Sequence, residues 1–354
     1  MKLLTALSVL PVVALGSTLA TDYTADRSLR VERRIHTTSE VVDMVMIVDG
    51  EEMEGRGFGG GASERTLTIT TVDKVLEHEE GAPTRVRRTL ETLSTEGIMS
   101  MRGEERDFER TSDAEGAVLD LSRAENGDLE VKVEEGSEPE GADFASLELT
   151  LELDALLPSE EVEAGGTWDL ESEAIVRGLG MGLEGSLFGR PSMGADRGGR
   201  GEGGGGRGGR GGFGGGRGGF GLETMTSLEW KGEAKLAEET ETVDELECLV
   251  IELELEADGA LPEREWGGGR GGRGGGGGGA LELGATASRL ETTVEVELEG
   301  RMLWSLAENR LVSLELEGDF TMQMERTMSR GDREMEMSST TEGAVEFKVS
   351  VEAE

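Results

Sequence analysis

A chain of 354 residues with a formal net charge of -40 repels nucleic acid and anionic membrane over most of its surface, and its single cysteine cannot close an internal disulfide. An apolar fraction of 35% with one Tyr and four Trp leaves Leu, Val and Met to build the core of one large or two modest domains. A disulfide-stapled fold and a general polyanion binder are both excluded on these grounds.

Met1 and Lys2 open the chain, an apolar stretch runs from Leu3 to Gly16, and small residues at Ser17–Ala20 precede Thr21. This pattern predicts a secretory signal peptide over residues 1–20, cleaved to leave a soluble, exported chain in the periplasm or outside the cell. The stretch is too short to span a bilayer, and no later segment is more apolar. Cys248 lies far from the cleavage point, so a lipid anchor there is not expected.

Beyond the leader, alternation with a period of two dominates: Leu67–Thr70, Leu147–Leu153, Val294–Leu298, Leu314–Leu316 and Val345–Val351 each put apolar groups on one face. These predict half-buried antiparallel strands and an all-β fold, arranged as a meander, an open barrel or two packed sheet halves. Ala124–Asp128, containing Asn126 and Gly127, predicts a hairpin between Val118–Leu121 and Leu129–Val133. Ser305–Asn309 predicts a second turn, and Ala234–Glu241 is ambiguous between helix and strand. Leu147–Glu161 aligns without gaps on Ile251–Glu265, which suggests two related halves, 21–185 and 224–354, joined by a Gly/Arg-rich linker at 186–223.

Leu157, Pro158, Val162, Gly165, Gly166 and Trp168 form the pattern L-P-x-x-x-V-x-x-G-G-x-W. With the leader, this layout resembles bacterial exported β-rich proteins of a domain-of-unknown-function type. The resemblance implies an exported β-protein and assigns no activity. The Arg-Gly tracts fall outside its pattern.

Those tracts are the strongest departure from average composition. Arg197, Arg200, Arg207, Arg210 and Arg217 alternate with glycines and with Phe213 and Phe220, Arg270 and Arg273 sit in a second tract at 267–279, and Gly55–Gly61 is a third. Without the leader the two longer tracts, Arg197–Gly221 and 267–279, carry +6 and the rest of the chain -47, so the protein reads as an acidic body with basic insertions. Flexible backbone bearing guanidinium and aromatic groups can coat single-stranded nucleic acid, but export and the acidic body oppose that use. Contact with acidic protein surfaces, or self-association, is the expected role of these nine residues, set against simple tolerance of a lengthened loop.

No catalytic, cofactor-binding or metal-ligating residue stands out. His36, His78 and Cys248 are too dispersed for a zinc site, and the parity of apolar positions changes at Cys248, which predicts a bulge and a buried thiol. Gly180–Gly185 matches G-x-G-x-x-G but is expected to run into non-helical sequence, and Arg330–Asp332 is expected in a loop. Met44 and Met46, Met99 and Met101, Met322 and Met324, and Met335 and Met337 each place two thioethers on one strand face, the expected use being core or cavity packing and the alternative Cu(I). The expectation is a non-enzymatic exported β-protein, an apolar-ligand carrier or an envelope interaction module. A carboxylate-based hydrolase and a Met-based Cu(I) carrier are the alternatives.

Overall fold

The computed structural model describes residues 19, 21–24, 27–53, 61–79, 81–101, 104–124, 126–137, 142, 144, 147–188, 222–261, 287–330 and 333–354. The expected leader, apart from Leu19, and the tract arginines and phenylalanines named above lie outside the described residues.

The fold is nearly all β, with one antiparallel sheet of thirteen strands that does not close into a barrel. The strands are β1 (Ser28–Val48), β2 (Glu51–Glu52), β3 (Ala62–Glu79), β4 (Ala82–Met101), β5 (Glu104–Thr111), β6 (Val118–Arg123), β7 (Leu129–Glu135), β8 (Thr167–Glu171), β9 (Glu229–Val243), β10 (Leu246–Ala260), β11 (Ala287–Ser305), β12 (Arg310–Arg330) and β13 (Arg333–Ala353). Their order is β7-β6-β4-β3-β1-β13-β12-β11-β10-β9-β8, with β2 beside β1 and β5 beside β4. β1–β7 and β9–β13 each run as a meander, β1 pairs with β13 to fuse them into one sheet rather than a packed pair, and β8, although within 21–185, pairs with β9 at the far edge. The ambiguous Ala234–Glu241 segment is part of β9.

Turn chemistry sets these hairpins. Asp49 and Gly50 have φ of 53° and 83°, and Asp244 and Glu245 have 48° and 70°, the paired positive values of a two-residue turn that follows the strand twist. At the expected β6–β7 hairpin, Gly127 has φ of 90° and the Ala124 amide bonds the Asp128 carbonyl at 2.9 Å. Asn309, with φ of 46°, reverses the chain between β11 and β12.

Leu147–Leu153 is not a strand. Leu147, Leu149, Leu151 and Leu153 are buried, but the segment leaves the sheet and tightens into a 3-10 helix over Glu152–Leu156. Glu152 decides this, because its carboxylate bonds the buried Arg33 guanidinium on β1 and lies 3.7 Å from that of Arg88 on β4. Ile251–Ala260, its aligned counterpart, is ordinary strand β10, so the two strings share composition and not structure.

The inner face is completed by α1 (Ser172–Gly178), α2 (Leu183–Phe188) and α3 (Leu222–Met225). Ile175 of α1 lies against Gly232 on β9, whereas Glu184 of α2 pairs with Arg65 on β3 and the Leu187 carbonyl accepts from Ser112 at 2.6 Å. β9 and β3 are six steps apart in the sheet order, about 29 Å if the sheet were flat. Two short helices joined by a tight turn cannot bridge that width, so the sheet curls around them. Gly97, Gly318 and Gly232 share one register row, and a Cβ at Gly318 would fall on the Glu297 carbonyl oxygen. The missing side chains let the sheet bend there.

One continuous apolar core results, with Val31, Leu90, Leu156, Ile175, Ile251 and Leu314 all fully buried. The helical layer covers only part of the long strands. Beyond it, the outer halves of β1, β12 and β13, the last residues of β4 and all of β5 carry half-buried or exposed residues, including Val42 on β1 and Ile98 and Met99 on β4.

Candidate functional site

Because opposed residues on neighbouring strands share a face, register converts the Glu-rich strands into rows. Glu346, Glu317, Glu299, Glu254, Glu233 and Asp169 lie directly opposite one another from β13 to β8, with His36 of β1 at one end. Six carboxylates thus cross the outer face of the sheet in about 24 Å. The next row repeats the pattern with Asp319, Glu297 and Glu256 before reaching Lys231. Like charges directly opposite in a sheet are mutually destabilising.

The chain has cations to hand and does not place them here. On the same face one row further, Arg34, Lys348, Glu315, Arg301, Glu252 and Lys235 mix signs, with Lys235 paired to Glu252 at 2.8 Å and Arg301 reaching Glu241 at 2.6 Å. Of the six acids in the row, Glu346 is bonded to Lys348, and the other five form no ion pair among the described residues. An open depression of about 900 Å³ lies over this row, lined by Glu233, Glu254, Glu299, Glu317, Glu346 and His36 among others. The carboxylates stand in a line rather than converging, and no group of His, Cys, Asp and Glu among the described residues is arranged to hold a metal ion.

His36 is half-buried, with Nδ1 3.0 Å from the Thr66 hydroxyl, and His78 is exposed, so the two remain on separate strands without a shared partner. Cys248 is fully buried at the expected irregularity, between Leu249 and Ile251 in the pairing with β9, and burial pushes its thiol up. The G-x-G-x-x-G segment does enter a helix, contrary to expectation. That helix, α2, has only six residues, Leu183 at its start is buried, and Glu184 in its first turn is already paired with Arg65. Gly180 and Gly182 serve the turn into it rather than a phosphate. Arg330–Asp332 spans the expected β12–β13 connection, with Gly331 and Asp332 outside the described residues.

The L-P-x-x-x-V-x-x-G-G-x-W segment has a structural role. Gly165, with φ of 81°, donates to the Leu236 carbonyl at 2.7 Å, Leu236 donates back to Gly166 at 3.0 Å, and Trp168 Nε1 donates to the Leu156 carbonyl at 3.1 Å. These bonds tie edge strand β8 to β9 and to the 3-10 helix.

A second charged cluster is sealed inside. Arg88 holds Asp73 through two bonds of 2.7 and 2.6 Å, and Tyr23 and Thr21 each donate to Asp154 at 2.6 Å. Burial raises the Asp154 carboxyl above its ordinary range, against the lowering effect of the Thr21 and Tyr23 bonds. Asp154 is the carboxyl an acid–base mechanism would want, but its hydrogen bonds bind the N-terminal segment to the core. The inner face, where an apolar ligand would lie, is filled by Leu153, Leu156 and Ile175.

The methionines fall elsewhere than expected. Met322 is buried, but Met44, Met46, Met324, Met335 and Met337 are half-buried beyond the helical layer and Met99 is exposed, so most of the paired thioethers are not core. No helix among the described residues is long and apolar enough to cross a membrane. The chain matches no protein-family profile and no curated protein sequence at a significant level.

Proposed function

We propose that the protein is an exported, non-enzymatic interaction module whose outer acidic row receives Arg-rich segments, its own Arg-Gly tracts first among them. The observation that carries this reading is the line Glu317–Glu299–Glu254–Glu233–Asp169, five directly opposed acids without an ion pair among the described residues, continued by Glu346. A surface of this kind is stabilised by any cation that sits along it, and guanidinium groups spaced on glycine meet carboxylates in the two-pronged geometry Arg favours.

Connectivity supports an intramolecular occupant. The tract at 267–279 belongs to the link between β10 and β11, which departs at Leu261 where its amide bonds the Thr292 carbonyl at 2.8 Å. Glu254 and Glu299 of the row lie seven residues along the strands from that point, about 23 Å. Arg270, nine residues beyond Leu261, can reach about 30 Å. Arg270 and Arg273 therefore have the length to lie on the row.

Small-angle scattering and sedimentation of the leader-free protein at low and high salt test this reading. Docking in cis gives a compact, concentration-independent particle that expands as salt screens the contact, and removal of Gly267–Gly279 abolishes that response. A concentration-dependent rise in mass at low salt would transfer the contact to a second copy. Unchanged behaviour on deleting both this tract and Arg197–Gly221 sinks the role of the tracts.

A further inference from the structure

We propose that the protein carries a soft-metal site for Cu(I), built from thioethers on the inner-facing side of β1, β12 and β13 beyond the helical layer. Register brings together what sequence separates by nearly 300 positions. Met46 of β1 lies directly opposite Met337 of β13, and Met335 of β13 lies directly opposite Met328 of β12. Directly opposed residues hold their Cβ atoms about 5 Å apart on the same face, and each thioether sulfur is two bonds further out. Met44 and Met324 flank the group, each opposite Ser339.

The residue choice argues for sulfur chemistry rather than for apolarity alone. On the same face of the same strands, the covered part uses Leu29, Val31 and Ile35, Leu311, Leu314 and Leu316, and Val345, Phe347 and Val349. Past the helical layer the branched and aromatic residues give way to methionine. Nine positions form the block across the three strands, and six are Met in a chain with 15 in all. All six are half-buried, so packing density does not demand the flexible side chain, as an irregular core would.

The donors withheld from the block are as informative as those present. The chain has 75 Asp and Glu, yet none of the nine positions is one of them, and the alternating acids Glu325, Glu334 and Glu336 point to the opposite face. Hard divalent ions, which need oxygen ligands, are not served. Thioethers without carboxylates select Cu(I) among biological metals. Arg326, opposite Met337 on the β12 side, adds a positive charge to the same row. It repels a divalent ion twice as strongly as a monovalent one.

Native mass spectrometry of the full leader-free chain with Ag(I), a redox-inert stand-in, and competition for Cu(I) against a chromogenic chelator under ascorbate are the tests. The expected result is stoichiometric uptake that persists in Cys248→Ala and is lost in Met46→Leu/Met337→Leu. Leucine keeps the volume and apolarity of methionine, so loss in that variant reports sulfur and not packing. Methionine methyl resonances of the unaltered protein give the second readout: Ag(I) should shift a subset that includes Met46 and Met337. Absence of uptake, retention of uptake in the Leu variant, or loss in Cys248→Ala would overturn the site.

Discussion

The phenol of Tyr23 donates to Asp154 Oδ2 at 2.6 Å and accepts the Leu151 amide at 2.7 Å, so one hydroxyl joins the N-terminal segment to the start of the 3-10 helix. Tyr23→Phe leaves the buried Leu151 amide and Asp154 Oδ2 without this partner, Asp154 keeping only the bond from Thr21 at Oδ1. It should cost about 1–3 kcal/mol in urea unfolding, with the helical layer loosening before the sheet. An unchanged midpoint would mean that this contact contributes nothing to stability.

Burial comes first among the causes that raise the Asp154 carboxyl in the folded protein. A folded-state value above the unfolded one means that the native protein holds the proton more tightly. The associated stability is therefore present at low pH and declines as pH rises through the folded value. The stability of the unaltered protein relative to Asp154→Asn should fall on that rise. Parallel curves would exclude the effect.

Asp120 titrates in the opposite sense, because the Arg85 hydrogen bonds hold its carboxyl below the ordinary range. Its contribution is complete above the unfolded carboxyl value and vanishes as pH falls through the depressed folded value. Asp120→Asn should thus be destabilising at neutral pH and progressively less so in acid. Chemical denaturation across that range measures it.

Arg33 and Glu152 are buried together, and Arg33 Nε has no hydrogen-bond partner among the described residues. Arg33→Met alone leaves Glu152 with only Arg88 and should cost about 3–5 kcal/mol. Arg33→Met/Glu152→Met should recover part of that loss. A double variant no more stable than the single one would show that the acid is needed for shape rather than for charge balance.

Glu317 faces Glu346 on one side and Glu299 on the other. In protein lacking both Arg197–Gly221 and Gly267–Gly279, Glu317→Gln should stabilise the fold by about 0.2–1 kcal/mol at low salt, and the gain should shrink as salt is added. In the intact chain, where the tract offsets the repulsion, the gain should be absent or reversed, and an equal gain in both proteins would show that no tract lies on the row.

A Cβ at Gly318 falls on the Glu297 carbonyl oxygen, and one at Gly343 on that of Thr38. Gly318→Ala should cost about 1–3 kcal/mol, since the sheet must open locally to admit the methyl. Thermal unfolding of the single variants checks this, and a neutral Gly318→Ala would place the bend elsewhere.

Much of the fold was legible in the alternation itself. Val294–Leu298 and Val345–Val351 could only be strands with one face covered, Asn126–Gly127 could only be a turn, and the parity change at Cys248 marked a true irregularity. Leu147–Leu153 carried the same alternation and became part of the covering layer, because the partner of Glu152 is a pair of arginines on distant strands.

Sequence by itself determined which face of each strand is apolar, how acidic the other face is, and where methionine replaces leucine along a strand, since these depend only on a period of two. The tertiary structure alone decided which residues oppose one another. Register between β1, β13 and β12 joins strands from the two ends of the chain and aligns two methionine pairs in one block, and register from β13 to β8 aligns six acids in one row. Pairing over such separations depends on the whole sheet curling around its helical layer, and local sequence carries no trace of it.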